Sequence, residues 1–244
     1  MINKKWRFIP AVILALVLLA AGAVYVYASD YYHADETAVQ ACASQGAVIV
    51  TCLLDNQYVF SPENPAAGLI FYPGGKVEYS AYAPLLQELA QKDILCVVKE
   101  MPLNLAVLDV DAAEDIMMQN PEITEWYIGG HSLGGSMAAS YAADNAEDFE
   151  GLLLLAAYST KDLSETDMDV FSVYGSEDQV LNMEKYEKYR SNLPEDTYEL
   201  VIEGGNHAGF GSYGTQDGDG KAYITGEQQV AEAVDFFTEK INKD

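Results

Sequence analysis

Seven short apolar runs recur along this chain: AVIVTCLL (47–54), GLIFY (68–72), ILCVV (94–98), EWYIGG (125–130), GLLLLAA (151–157), DVFSVYG (169–175) and YELVIEG (198–204). Between most of them lie helical patterns, at 80–92, 105–119, 133–145 and 183–192, with a last one at 227–241. Strands so continuously apolar are buried on both faces, and a helix between successive strands is the crossover that parallel strands require. The pattern predicts an α/β domain over 47–244, a mostly parallel central sheet flanked by helices. Residues 47–54 and 57–60, around Asp55-Asn56, predict an antiparallel hairpin at the sheet's edge. Only about a dozen residues separate Ala157 from Asp169, which leaves no room there for an inserted cap domain.

Charge narrows the possible partners. The chain holds 38 Asp+Glu against 13 Lys+Arg, a formal net charge of −25. A surface this acidic repels phosphate backbones, so no nucleic-acid partner is expected, and the acids read as a solvated surface.

The N-terminus departs from this composition. Lys4, Lys5 and Arg7 precede any acid, and then Ile9 to Ala28 runs IPAVILALVLLAAGAVYVYA without a charge. A run of about 20 apolar residues spans a bilayer as a helix, whereas the apolar part of a signal peptide is ~7–15 residues. Bases before it and Asp30, Asp35 and Glu36 after it place the body outside the cytoplasm. Trp6 and Phe8 at one end, with Tyr25, Tyr27, Tyr31 and Tyr32 at the other, supply interfacial aromatic residues. The expected organisation is a membrane anchor over 1–29, a polar connector over 30–46 and the domain over 47–244. The competing reading is a signal peptide cleaved at Ala21-Gly22-Ala23 or Val26-Tyr27-Ala28, which secretes the protein. Under either reading Cys42 and Cys52, ten residues apart, are candidates for a local disulfide, and Cys96 in ILCVV is expected to be buried.

The chemistry centres on Gly130-His131-Ser132-Leu133-Gly134, a G-x-S-x-G between an apolar strand and the small-residue helix SMAASYAA. A nucleophilic serine on a sharp strand-to-helix turn sits in strained backbone, and only glycines two residues either side avoid a clash. The helix that follows directs its N-terminal dipole at charge developing on the serine. Ser132 is the candidate nucleophile.

Its base comes from three histidines. His33 lies beside the apolar segment and His131 is the serine's own neighbour. That leaves His207, in Gly204-Gly205-Asn206-His207 directly after the last strand, as candidate general base. A carboxylate to orient it belongs between Ser132 and His207 in chain order. Asp178, just past the strand 169–175, is chosen, with Glu177 as its rival. An oxyanion hole needs two backbone donors. The Leu133 N–H is one; Gly75, in Tyr72-Pro73-Gly74-Gly75-Lys76 after the strand 68–72, is the other. Tyr72, Lys76 and Tyr158 are further side chains for the site's border, with surface roles equally open.

Together these segments resemble the α/β-hydrolase superfamily across residues 47–242. More narrowly, YPGGKVEYSAYAPLL, GGHSLGG, YGSED and GGNHAGFGSYG resemble a small, capless bacterial family of that fold. The resemblance implies a Ser132–Asp178–His207 triad and no cofactor. It is similar in fold and size to dienelactone hydrolases, but those use a cysteine nucleophile and Ser132 departs from them. The expected function is a serine hydrolase that cleaves a carboxylic ester or related acyl bond of a small molecule through an acyl-enzyme. An acyltransferase or amidase using the same triad, and a non-catalytic binding domain, are the alternatives. The GFGSYGTQDGDG stretch after His207 has no assigned role, and Asp217 and Asp219 match no calcium-loop spacing.

Overall fold

The computed structural model describes residues 9–54 and 56–241. Lys4, Lys5, Trp6, Arg7 and Phe8 lie outside the described residues, as does Asp55 of the expected hairpin turn. Ile9–Ser29 forms one helix, α1, whose stretch Val12–Ser29 is long and apolar enough to cross a membrane by length and composition. It is a separate compact unit from the body that begins at Tyr32.

The body is built on one eight-stranded sheet. Its strands are β1 (Ile49–Leu53), β2 (Gln57–Ser61), β3 (Ala67–Tyr72), β4 (Ile94–Lys99), β5 (Trp126–His131), β6 (Gly151–Leu155), β7 (Asp169–Gly175) and β8 (Tyr198–Ile202). Spatial order is β1-β2-β4-β3-β5-β6-β7-β8. The hairpin β1–β2 and the pair β2–β4 are antiparallel, and every other pairing is parallel. This is the mostly parallel α/β sheet that the alternation of runs predicts.

The continuous apolar runs of the inner strands are explained by two cores, one on each face, whereas β1 at the sheet's edge is mostly exposed. In β3, Leu69 and Phe71 enter one core while Ile70 and Tyr72 enter the other; in β6, Leu153 and Leu155 oppose Leu152 and Leu154 in the same way. Successive side chains on a strand point to opposite faces, so a strand covered on both sides has no position left for a polar residue. The helices α3 (Ala83–Ala90) and α7 (Gly226–Ile241) cover one face, and α4 (Ala112–Gln119) and α5 (Leu133–Asp144) the other. A further helix, α6 (Met183–Tyr189), packs Tyr186 on Tyr174 at 5.1 Å between ring centroids.

Three local differences from the expected elements have identifiable causes. The segment 80–92 opens with a 3-10 turn, Tyr79–Tyr82, before α3, because Pro84 in the first turn has no N–H to give to a preceding helix. Of 105–119 only α4 is α-helical; the earlier part is a 3-10 turn that buries Ala106 alone and leaves Val107 and Leu108 exposed, too small an apolar face to extend a helix. Residues 30–46 contain a short helix, α2 (Glu36–Ala41), capped by the Asp35 carboxylate on the Ala38 N–H at 3.0 Å. Cys42 closes that helix and Cys52 stands on the exposed strand β1 opposite Tyr58; both are free thiols, and Cys96 is fully buried.

Candidate active site

The C-terminal ends of the parallel strands carry the turns where the chemistry gathers. β5 ends at His131 and α5 begins at Leu133, so Ser132 must reverse the chain in one residue. It does so at φ 52°, ψ −121°, a conformation that a residue with a side chain adopts only when its surroundings enforce it. The flanking glycines are those surroundings. A Cβ on Gly134 would strike the carbonyl oxygens of Tyr72 and Pro73, and one on Gly135 would stand 2.6 Å from Ala157 Cβ. α5 can therefore sit against β3 and β6 only with glycine in its first turn.

His207 follows β8 in a turn stapled from several sides. Its Nδ1 lies 2.8 Å from Asp178 Oδ2, and both side chains are 1% exposed. Asp178 is held in turn: its Oδ1 accepts the N–H groups of Val180 and Leu181, each at 2.8 Å. The turn carrying it packs on the histidine turn, where Glu177 N–H donates to Gly205 C=O at 2.8 Å. Glu177 meets Ser176 instead, so the structure brings Asp178 and not its rival to the histidine. With Nδ1 donating to the carboxylate, Nε2 remains for other chemistry; it is buried and has no hydrogen-bond partner among the described residues.

Ser132 and His207 line one cavity of about 180 Å³. Its remaining wall is mostly small or apolar, with Leu133, Ala156, Val180 and Leu181 contributing, and Tyr158 at the rim. Ala156 also has a positive φ, 48°, which turns the chain away from the end of β6. Tyr72 and Lys76 do not line this cavity. Tyr72 is buried under α4, where its hydroxyl donates to Val110 C=O at 2.7 Å and accepts the Ala113 N–H at 3.0 Å. Burial pushes that phenol well above its usual range.

Gly75, from the loop after β3, packs on the Leu133 side chain at the start of α5, so the two residues with the candidate oxyanion N–H groups are neighbours. Gly75 lies against Leu133 closely enough that a Cβ on it would stand 2.9 Å from Leu133 Cδ2. Leu133 is the first residue of α5, so its N–H has no partner within the helix.

Two residues central to this arrangement carried no signal in the spacing. Asp219, from the stretch without an assigned role, accepts the N–H of His207 at 3.2 Å, of Ala208 at 2.9 Å and of Gly220 at 2.8 Å. Tyr82, fully buried, accepts the Gly74 N–H at 3.0 Å. Asp219 is thus a backbone clamp, and among the described residues no group of three or more His, Cys, Asp or Glu could hold a metal ion.

Comparison with known proteins agrees with this layout. Solved structures with the same fold include a predicted CIB-like hydrolase from Thermoplasma acidophilum, at TM-score 0.59 and 14% identity over 79% of this chain and 99% of that one. TT1662 from Thermus thermophilus gives 0.59 and 15% over 81% and 99%, and Est1E from Butyrivibrio proteoclasticus 0.58 and 14% over 81% and 100%. No curated protein sequence matches the chain. The sequence model of the alpha/beta hydrolase family matches residues 68–231, more than half of its length. With the sheet order, the two-sided core and the strained turn after β5, this match means that the chain belongs to the alpha/beta hydrolase family.

Proposed function

We propose that this hydrolase uses Ser132 as nucleophile, His207 as general base and Asp178 as the group that orients the base. The observation that carries the reading is the state of His207. Its Nδ1 is committed to a buried carboxylate, and its buried Nε2 is unpartnered in a ring that lines the cavity of Ser132. A base so arranged is held in one tautomer with its free nitrogen available to the serine hydroxyl.

In the reaction His207 Nε2 takes the Ser132 proton as Oγ adds to the carbonyl carbon. The resulting oxyanion lies at the N–H groups of Leu133 and Gly75, and α5 adds its N-terminal dipole. The histidine returns the proton to the leaving group, and water then attacks the acyl-enzyme by the same path. No cofactor takes part. Apart from the triad, no charged side chain lines the cavity, and its small volume suits a short, neutral acyl ester. We assign α1 as a membrane anchor that holds the domain outside the cytoplasm.

The test is labelling of the full chain, in mild detergent, with a fluorophosphonate probe that reacts with activated serines. Labelling of the wild type that disappears in both Ser132→Ala and His207→Ala is the expected result. A folded wild type that stays unlabelled overturns the reading and favours a binding role. Product analysis with an added alcohol acceptor separates hydrolysis from acyl transfer.

A further inference from the structure

A second histidine lies behind the site and takes no part in the reaction just described. His131 is 1% exposed, and both of its ring nitrogens are partnered. Nδ1 is 2.8 Å from the Tyr82 hydroxyl, and Nε2 is 3.1 Å from the backbone carbonyl oxygen of His207. A carbonyl can only accept, so Nε2 bears the hydrogen. The Tyr82 oxygen already accepts the Gly74 N–H, which leaves its own O–H to donate to Nδ1. Burial, followed by the neighbouring His207, holds the His131 pKa well below its usual 6.5, in keeping with a neutral ring. Every donor in this chain of hydrogen bonds has one acceptor, and the direction is fixed from Gly74 through Tyr82 and His131 to His207.

The partners matter more than the number of bonds. A core histidine satisfied for stability alone has no reason to reach the backbone of both the base and the oxyanion loop. Here one end of the chain is Gly74, the neighbour of Gly75, and the other is the peptide of His207. Both backbone polar groups of His207 are held: Asp219 accepts its N–H at 3.2 Å and His131 donates to its C=O. The loop also lies hard against the pair, since a Cβ on Gly74 would come within 2.7 Å of Tyr82 Oη and 2.9 Å of His131 Nδ1. The two histidine rings are 4.5 Å apart, so a neutral His131 spares His207 a repelling charge when it becomes an imidazolium.

We propose that His131 is a positioning residue: its Nε2–H imidazole fixes the His207 backbone and, through Tyr82, the Gly74–Gly75 loop, so that base and oxyanion donors keep one geometry around Ser132. The role rests on the triad reading above.

Two measurements on the full chain in detergent test it. The chain has three histidines, so long-range 1H–15N spectra of the 15N-histidine protein at pH 7, with each histidine replaced in turn, assign the tautomers. His131 is expected as the neutral Nε2–H form, and an Nδ1–H or charged His131 would overturn the proposal. The second is the rate of fluorophosphonate labelling, with kcat and KM for a short ester, in His131→Leu and His131→Gln. Leucine fills space without a polar atom, whereas the glutamine amide nitrogen reaches close to the Nε2 position. The leucine variant is expected to lose about 10²-fold in labelling rate and in kcat with little change in KM, and glutamine to recover at least tenfold of it. Labelling of a folded His131→Leu protein at the wild-type rate, or equal loss in both variants, sinks the role while leaving the triad intact. An unlabelled wild type removes the triad reading and this role together. If the leucine variant does not fold, the tautomer and the glutamine variant decide.

Discussion

His207 Nδ1 and Asp178 Oδ2 are 2.8 Å apart with both side chains 1% exposed, so the carboxylate is matched to one ring nitrogen and the pair is shielded from bulk water. A carboxylate so placed fixes the tautomer of its partner and stabilises the imidazolium that forms during reaction. Asp178→Asn keeps the shape but can present an N–H where the acceptor was. It is expected to lower kcat by about 10³–10⁴-fold with the fold retained, as read by ester turnover and thermal unfolding.

The contact between Gly75 and Leu133 makes the oxyanion loop sensitive to one methyl group. A Cβ at Gly75 meets the end of a flexible side chain, which can yield, so the fold tolerates Gly75→Ala. Leu133 Cβ, 3.4 Å from the added methyl, cannot swing aside, so the Gly75 loop shifts relative to the Leu133 N–H. The expected outcome is a loss of up to about 10²-fold in kcat with a thermal midpoint close to that of the wild type, measured side by side.

Gly134→Ala is expected to behave in the opposite way. The atoms facing that Cβ are the backbone carbonyls of Tyr72, which ends β3, and Pro73, which follows it, and backbone cannot swing aside as a side chain does. Denaturant unfolding is expected to show a loss of about 1–3 kcal/mol together with lost labelling, because α5 is pushed off the strands that aim Ser132.

Stability is expected to fall in acid through His131. Its folded pKa lies well below the unfolded 6.5, so the unfolded chain takes up a proton that the folded one refuses. The folded state is therefore unaffected above pH 6.5 and loses about 1.4 kcal/mol for each pH unit below it, until the folded pKa is reached. The groups that face His131 are Tyr82, Phe210 and His207, with Asp178 behind His207. Urea titrations between pH 5 and pH 7 on wild type and His131→Gln isolate this contribution as a difference in slope.

The proposed anchor makes a separate prediction. The full chain is expected to stay with membranes through alkaline carbonate washing, and a chain lacking residues 1–29 to be released. An N-terminal sequence that starts near Ala23 or Ala28 in the mature protein would show a cleaved signal instead.

What the sequence determined by itself is whatever repeats with a regular period or sits in one short segment. Seven apolar runs set the sheet, because a strand buried on both faces leaves a continuous signature, and Gly130-x-Ser132-x-Gly134 marked the turn, because the strain there requires those residue types within five positions. Chain order and scarcity pointed to His207, and Asp178 lay just past a strand end with Glu177 beside it. Only the tertiary structure chose between those two carboxylates, since one residue of difference in a turn reverses where a side chain points. It likewise decided that Asp219 accepts backbone N–H groups of the His207 turn, that Tyr82 accepts the Gly74 N–H, and that His131 joins Tyr82 to the His207 carbonyl. Those partners lie 8 to 76 residues apart in the chain, and hydrogen bonds over such distances exist only once the sheet has brought the loops together.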